Sequence, residues 1–284
     1  MKNAQLPISS DVIDDFVRRA LAEDVGAGDV TTQALVPANQ VGVAVAHAKQ
    51  SGVLAGNPIA ARVFTQLDHA VRATFLHADG ECLKPGETFL RVEGPLQAIL
   101  TGERVALNIL RHLSGVATLT RAFVEAVAGT DATIVDTRKT TPGLRLLEKY
   151  AVRIGGGRNH RIGLFDGVLI KDNHIAACGS VTAAVKRARS SVHHLLKIQI
   201  EAKTLKQVAE ALEAGADGIL LDNMPPAKMA QAVAMVQGRA FTEASGGITL
   251  ESVRDAALAG VDLVSVGMLT HSAAALDISL DIEG

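Results

Sequence analysis

Apolar positions follow two different rhythms along this chain. Near the start, Val12, Ile13, Phe16, Val17 and Leu21 recur at helical spacing and predict an opening helix. A polar stretch rich in Gly, Asp and Thr, from Asp24 to Thr32, interrupts it. Short apolar segments at 41–48, 52–55, 71–77 and 86–92, separated by Gly and Pro, then read as strands joined by turns. A longer helix is predicted from about Leu96 to Leu113. Leu96, Ile99, Leu100, Leu107 and Leu110 share one face, and Arg104, Asn108 and Arg111 share the other.

From Gly115 onward the rhythm changes to strand, helix, strand. Apolar segments at 133–136, 166–170, 198–201, 218–222, 240–243 and 262–266 alternate with helical patterns such as 204–212 and 249–258, which stop at Gly215 and Gly260. Such alternation implies a parallel sheet, because the crossover helices must lie on its faces. Six strands in ~150 residues fall short of the ~250 residues of a complete eight-stranded barrel. The expected fold is therefore α/β: an N-terminal α+β sandwich domain over residues 1–114, then a shortened or open α/β barrel of about six parallel strands over 115–269. The C-terminal tail, about 270–284, is expected to pack back on the first domain.

Parallel sheets bind ligands at the carboxyl ends of their strands, and polar residues gather there in this chain. The predicted strand exits carry Asp136-Thr137-Arg138-Lys139, Lys171-Asp172-Asn173, Glu201, Asp222-Asn223, Glu243-Ala244-Ser245-Gly246-Gly247 and Gly267. Between Asp136 and His174 there are eight cations against four anions, in a chain whose formal net charge is -2. Local positive charge at strand exits suits a small anionic ligand, and guanidinium forks match carboxylate or phosphate oxygens. Arg138, Lys139, Arg161 and Lys171 are read as ligand contacts. Arg145, Lys149 and Arg153, one helical turn apart, are read as a solvated or salt-bridged face. The segment Gly155-Gly156-Gly157 is expected to be a loop that closes over something, with His160 as a hydrogen-bond donor or part of the anion pocket. Ser245-Gly246-Gly247-Ile248-Thr249 is read as opening a helix whose N-terminus cradles phosphate, and Gly267 as a second such cradle. Glu201 and Asp222 either hold ribose hydroxyls or a hydrated Mg²⁺, or pair with Lys171 or Lys203. His174 and Cys178 have loose metal-ligand spacing and are assigned no metal, and His193 and His194 read as surface residues.

Composition removes other classes. With seven Phe, one Tyr, no Trp and balanced charge, the chain offers neither a basic field nor stacking aromatics for nucleic acid. No apolar run reaches the ~18 residues of a membrane span, so a cytoplasmic location is expected. Cys82 and Cys178 are expected to be buried, reduced thiols. No P-loop or dinucleotide fingerprint is present.

Several motifs, in order, resemble the quinolinate phosphoribosyltransferase family. They are Glu23-Asp24-Val25-Gly26-Ala27-Gly28-Asp29-Val30-Thr31-Thr32, Gly102-Glu103-Arg104 with Leu113-Ser114-Gly115, Asp136-Thr137-Arg138-Lys139-Thr140-Thr141-Pro142-Gly143, Asn159-His160-Arg161 with Leu169-Ile170-Lys171-Asp172-Asn173-His174, and Ser245-Gly246-Gly247-Ile248. The resemblance implies a decarboxylating transfer in NAD synthesis: quinolinate and phosphoribosyl pyrophosphate give nicotinate mononucleotide, carbon dioxide and pyrophosphate. It further implies Mg²⁺ and a homodimer in which Arg104 enters the neighbour's site. By the same likeness Arg104, Arg138, Lys139, His160, Arg161 and Lys171 would bind the pyridine dicarboxylate. Glu201 and Asp222 would serve ribose and metal, directly or through water, and Ser245, Gly246, Gly247 and Gly267 the phosphate. Lys139, Lys171, Glu201 and Asp222 are the expected catalytic residues. A molybdenum-transport-associated relative, a nicotinate-specific transferase and a non-catalytic sugar-phosphate sensor are the rival readings.

Overall fold

A computed structural model describes residues 8–283, and the chain forms two compact units. The first takes in the described chain up to Leu119 together with Leu146–Gly156 and the segment from Ser272 onward. The second takes in Thr120–Arg145 and Gly157–His271.

The first unit opens with α1 (Ser10–Val25), capped by the Ser9 side chain, and α2 (Val30–Leu35), capped by Asp29. The Asp29 carboxylate accepts from Thr32 Oγ1 at 2.5 Å, from the Thr32 N–H at 3.0 Å and from Thr101 Oγ1 at 3.2 Å, which holds its pKa below the usual range. The polar stretch before Thr32 is thus a helix cap tied to the long helix. Next come β1 (Val41–Ala48), β2 (Gly52–Val53), α3 (Asn57–Leu67), β3 (Arg72–Phe75), β4 (Cys82–Leu83) and β5 (Thr88–Pro95). β5 runs into α4 (Leu96–Ala126), which continues well past the predicted end at Leu113. Gly115 lies inside it. A Cβ there would run into the Ala274 carbonyl oxygen, so this glycine serves a close approach and not a helix stop. Cys82 is exposed, contrary to the buried thiol expected, because β4 is a two-residue strand that points Leu83 inward instead.

The second unit contributes β6 (Thr133–Val135), leads into α5 (Arg145–Ile154), and continues with β7 (Val168–Ile170), α6 (Asp172–Cys178), α7 (Val181–Ser191), β8 (Ile198–Ala202), α8 (Leu205–Glu213), β9 (Gly218–Asp222), α9 (Pro226–Val236), β10 (Phe241–Ser245), α10 (Val253–Leu258), β11 (Leu263–Ser265) and α11 (Met268–His271). The last strand, β12 (Ile278–Ile282), returns to the first unit and pairs antiparallel with β1 from Ala48↔Ile278 to Ala44↔Ile282. The antiparallel sheet has the order β12-β1-β5-β3, with β2 and β4 as a separate pair. Phe64 of α3 and Phe89 and Leu90 of β5 are fully buried.

The second sheet has six parallel strands in the order β6-β11-β10-β9-β8-β7. β6 and β7 are not paired with each other, so the barrel is open. Its middle strands are buried on both faces: Ile198, Ile200, Ile219, Leu221 and Ala244, all at 0% exposure, lie on one, and Gln199, Leu220 and Glu243 on the other. Helices α7, α8 and α9 cover them with Val185, Val208, Ala211 and Ala232. No helix among the described residues is long and apolar enough to cross a membrane.

Two local expectations change. The segment after Gly155-Gly156-Gly157 is not a free-standing lid: Arg158 donates its N–H to the Ile134 carbonyl at 2.9 Å, and its carbonyl accepts from Asp136 N at 3.2 Å, extending the edge beside β6. The α5 cations are not a solvated face, since Lys149 is only 2% exposed and Arg153 Nε is buried.

Candidate active site

The carboxyl edge of the parallel sheet opens onto a cavity of about 610 Å³. Eleven of the twelve predicted site residues line it: Arg138, Lys139, His160, Arg161, Lys171, Glu201, Asp222, Ser245, Gly246, Gly247 and Gly267. Strand order arranges them along the rim. Arg138 and Lys139 follow β6, Gly267 follows β11, Ser245 to Gly247 end β10, Asp222 ends β9, Glu201 lies in β8 and Lys171 follows β7. Arg104 is not among the lining residues. It sits on α4 in the first unit, exposed, with the Glu103 carboxylate at 3.4 Å.

The cations near β6 are held by backbone contacts and left electrically open. Lys139 N–H donates to Thr137 Oγ1 at 3.0 Å, and its carbonyl accepts from Thr270 Oγ1 at 2.7 Å. Arg161 Nη1 donates to the Gly167 carbonyl at 3.0 Å. Among the described residues no carboxylate lies within ion-pair distance of Arg138, Lys139 or Arg161, and Arg138 Nε is buried without an acceptor. Burial, with the neighbouring Arg138 guanidinium, pushes the Arg161 pKa below its usual value. A buried donor with nothing to donate to, beside a second guanidinium, stores an electrostatic penalty that an anion relieves.

At the other end of the rim the charges are paired. Lys171 Nζ lies 3.3 Å from Glu201 Oε1, and Lys203 Nζ bridges Asp172 at 2.9 Å and Asp222 at 3.8 Å. The Lys203 partnership holds Asp172 below the usual carboxylate range. Both pairings foreseen for Glu201 and Asp222 are therefore present. Among the described residues no three metal-ligating side chains cluster. Two carboxylates suit a Mg²⁺ that also takes diphosphate oxygens and water, and would not form an all-protein cage.

The glycine pair is shaped by a residue that sequence reasoning left unassigned. Asn223 adopts φ 53, and its N–H donates to the Ser245 carbonyl at 2.8 Å. Its side chain lies where a Gly246 Cβ would stand, and Gly246 itself has φ 98. The expected helix does not start here. Residues 250–252 form turns and α10 begins only at Val253, so the cradle is two left-handed glycines and not a helix end. Glu243, Ser265 and His271 also line the cavity. Glu243 was visible as a strand-exit acid but hidden behind the more conspicuous glycines.

Asp136, fully buried, anchors the His160 segment: its two oxygens accept from His160 N at 2.8 Å and Asn159 Nδ2 at 2.6 Å.

Fold and cavity together define a class, an open α/β barrel with a cavity lined by cations, glycines and acids at its strand exits. Sequence profiles narrow it. The N-terminal domain of quinolinate phosphoribosyl transferase matches residues 29–114 and the C-terminal domain residues 116–281. The probable carboxylating nicotinate-nucleotide pyrophosphorylase of Bacillus subtilis is 48% identical over 260 residues, 92% of this chain and 90% of that one. The carboxylating nicotinate-nucleotide pyrophosphorylase of Mycobacterium leprae is 45% identical over 278 residues, 96% and 98% of the two chains. The crystal structure of NadC from Streptococcus pyogenes superposes with a TM-score of 0.94 at 42% identity, over 98% of this chain and 99% of that one. The chain belongs to the quinolinate phosphoribosyltransferase family.

Proposed function

We propose that the cavity is the active site for decarboxylating phosphoribosyl transfer from phosphoribosyl pyrophosphate to quinolinate, yielding nicotinate mononucleotide, carbon dioxide and pyrophosphate for NAD synthesis. The observation that carries this assignment is the uncompensated group of Arg138, Lys139 and Arg161 at one end of the rim, with glycines and then acids following along it. That sequence of charges accords with dicarboxylate, phosphate and ribose lying side by side.

Both substrates are strongly anionic, so the first task of the chain is to offset repulsion and hold the ring nitrogen against the anomeric carbon. Arg138, Lys139 and Arg161, with Lys171, take that part, and His160 stands behind Arg161. The backbone at Ser245, Gly246, Gly247 and Gly267 receives the phosphate, where the missing side chains let N–H groups approach oxygen. Glu201 and Asp222 would hold the ribose and a Mg²⁺, which when bound would supply charge stabilisation for the departing pyrophosphate. As the nitrogen–carbon bond forms, the bond to pyrophosphate breaks and the ring nitrogen becomes cationic. The carboxylate on the adjacent ring carbon then leaves as carbon dioxide. Its bonding electron pair stays on that carbon, stabilised by the neighbouring positive nitrogen, until a solvent proton fills it. Lys139 and Lys171, both lining the cavity, are the side chains assigned to hold these charges, and no nucleophilic side chain is required.

The homodimer and a cytoplasmic setting belong to the same reading. Exposed Arg104 is free to reach a partner's cavity, and an exposed free thiol at Cys82 accords with a reducing compartment. Incubation with quinolinate, phosphoribosyl pyrophosphate and Mg²⁺ is expected to release pyrophosphate and carbon dioxide in equal amounts, with nicotinate a poor replacement for quinolinate. Binding heat without product would favour a sensor, and preference for nicotinate would contradict the dicarboxylate assignment.

A further inference from the structure

The mechanism leaves one acid at the cavity floor without a task. Glu243, in the middle of β10, is 1% exposed. Its Oε2 accepts from Gln199 Nε2 at 2.7 Å and lies 3.5 Å from His160 Nε2. Burial pushes the carboxyl pKa up, but the groups hydrogen-bonded to it, His160 foremost and then Gln199 and Ser265, outweigh this and hold it below the ordinary glutamate range.

The imidazole between Glu243 and the rim is held at both nitrogens. Its Nδ1 accepts the Arg161 backbone N–H at 2.7 Å, so the ring proton sits on Nε2, facing the carboxylate. The 3.5 Å separation is long for a hydrogen bond, so the Nε2–H faces the carboxylate as a bond dipole before a fixed negative charge. Asp136 meanwhile fixes the His160 backbone N–H at 2.8 Å. One buried carboxylate thus sets the main chain of the segment and the other sets its ring.

We propose that Glu243 is a positioning residue for Arg161, acting through the His160 imidazole. The carboxylate fixes the tautomer and tilt of the ring, the ring fixes the Arg161 backbone N–H, and the guanidinium is thereby presented to the cavity. This rests on the reading that Arg161 grips a quinolinate carboxylate. His160 in this arrangement is a strut between an acid and a main chain, because both its nitrogens are already engaged by the protein.

The test is a double-mutant cycle between two residues joined only through His160, read as the quinolinate dissociation constant by calorimetry on the full chain. Glu243→Leu is expected to weaken quinolinate about tenfold, near 1.4 kcal/mol. In the Arg161→Lys background it should add less than about twofold, since the guanidinium it positions is gone. Glu243→Gln keeps an acceptor for Nε2–H and should recover most of the lost affinity. Additive effects, or a Gln variant as damaged as the Leu variant, overturn the proposal. Should the Leu variant not fold, nitrogen NMR of the wild-type protein decides: a protonated Nε2 and bare Nδ1 on His160 support it, and a proton on Nδ1 overturns it. A wild-type protein that binds no quinolinate would instead refute the functional reading on which the proposal stands.

Discussion

The charged residues at the amino end of the parallel sheet and those around β6 at its carboxyl end are treated in opposite ways. At the amino end the charges are spent on the fold. The Asp217 carboxylate accepts from Ile198 N–H at 2.7 Å and Arg189 Nη2 at 2.6 Å, and Asp262 accepts from Thr242 N–H at 2.7 Å. Lys197 rests 5.9 Å from the Phe241 ring, and a smaller cavity of about 370 Å³ lies among these residues. At the carboxyl end, Arg138, Lys139 and Arg161 are anchored through backbone or guanidinium contacts, and among the described residues no carboxylate comes within ion-pair distance of them. A charge that completes a strand or helix end is structural, whereas a charge held in place without a counterion is prepared for something that arrives from outside.

The sharpest way to break this contrast is Arg138→Ala. Removing one partner of a desolvated charge pair typically costs 2–5 kcal/mol, so kcat/KM should fall about 100-fold or more, with the melting temperature little changed. Steady-state kinetics beside thermal melts separates the two effects. A variant that loses fold along with activity would place Arg138 with the structural charges.

Next in size is complementation. Arg104→Ala and Arg138→Ala chains are each expected to be nearly inactive. Mixed in equal amounts and allowed to exchange, they should regain about a quarter of wild-type activity, because half the dimers carry one intact site of two. No recovery between subunits shown to exchange would confine the site to one chain.

Gly246→Ala tests the cradle. The added methyl meets the Asn223 side chain at a left-handed backbone, which should cost about 1–3 kcal/mol and raise KM for phosphoribosyl pyrophosphate more than for quinolinate. Equal changes in both KM values would remove the glycines from phosphate binding.

The smallest effects belong at the amino end. Arg189→Ala should leave kcat and both KM values unchanged and lower stability by at most about 1 kcal/mol, as for partly exposed pairs. Asp217 gives the corresponding pH test. Burial raises its pKa, but the Ile198 N–H and the Arg189 side chain outweigh burial and set it below the ordinary aspartate value. Its contribution is present above that ordinary value and disappears as pH falls through the lower folded value. Asp217→Asn should therefore flatten the acid limb of the melting-temperature profile, with activity at neutral pH intact.

Particular residues explain what could be read in advance. The segment 218–222 was legible as a strand because it is a short apolar run, buried through Ile219 and Leu221 on one sheet face and Leu220 on the other, and Gly215 ends the preceding helix. The exits followed, since a chain leaving a parallel sheet at its carboxyl end must turn polar. Gly115 misled because a glycine that stops a helix and one that admits a neighbouring carbonyl are identical in one dimension. Lys149 resembled a surface cation because helical spacing alone does not reveal that it is only 2% exposed. Glu243 could be quoted but not interpreted, because its meaning lies in contacts with Gln199 and His160, 44 residues away in the first case.

The central claim is that the open cations grip a pyridine dicarboxylate beside the glycine cradle. A crystal structure with quinolinate bound tests it most directly. Both carboxylates are expected within hydrogen-bond distance of Arg138, Lys139 and Arg161, with the ring nitrogen turned toward Glu201 and Asp222. Quinolinate lodged away from those three cations, or bound with them still facing empty solvent, would contradict it.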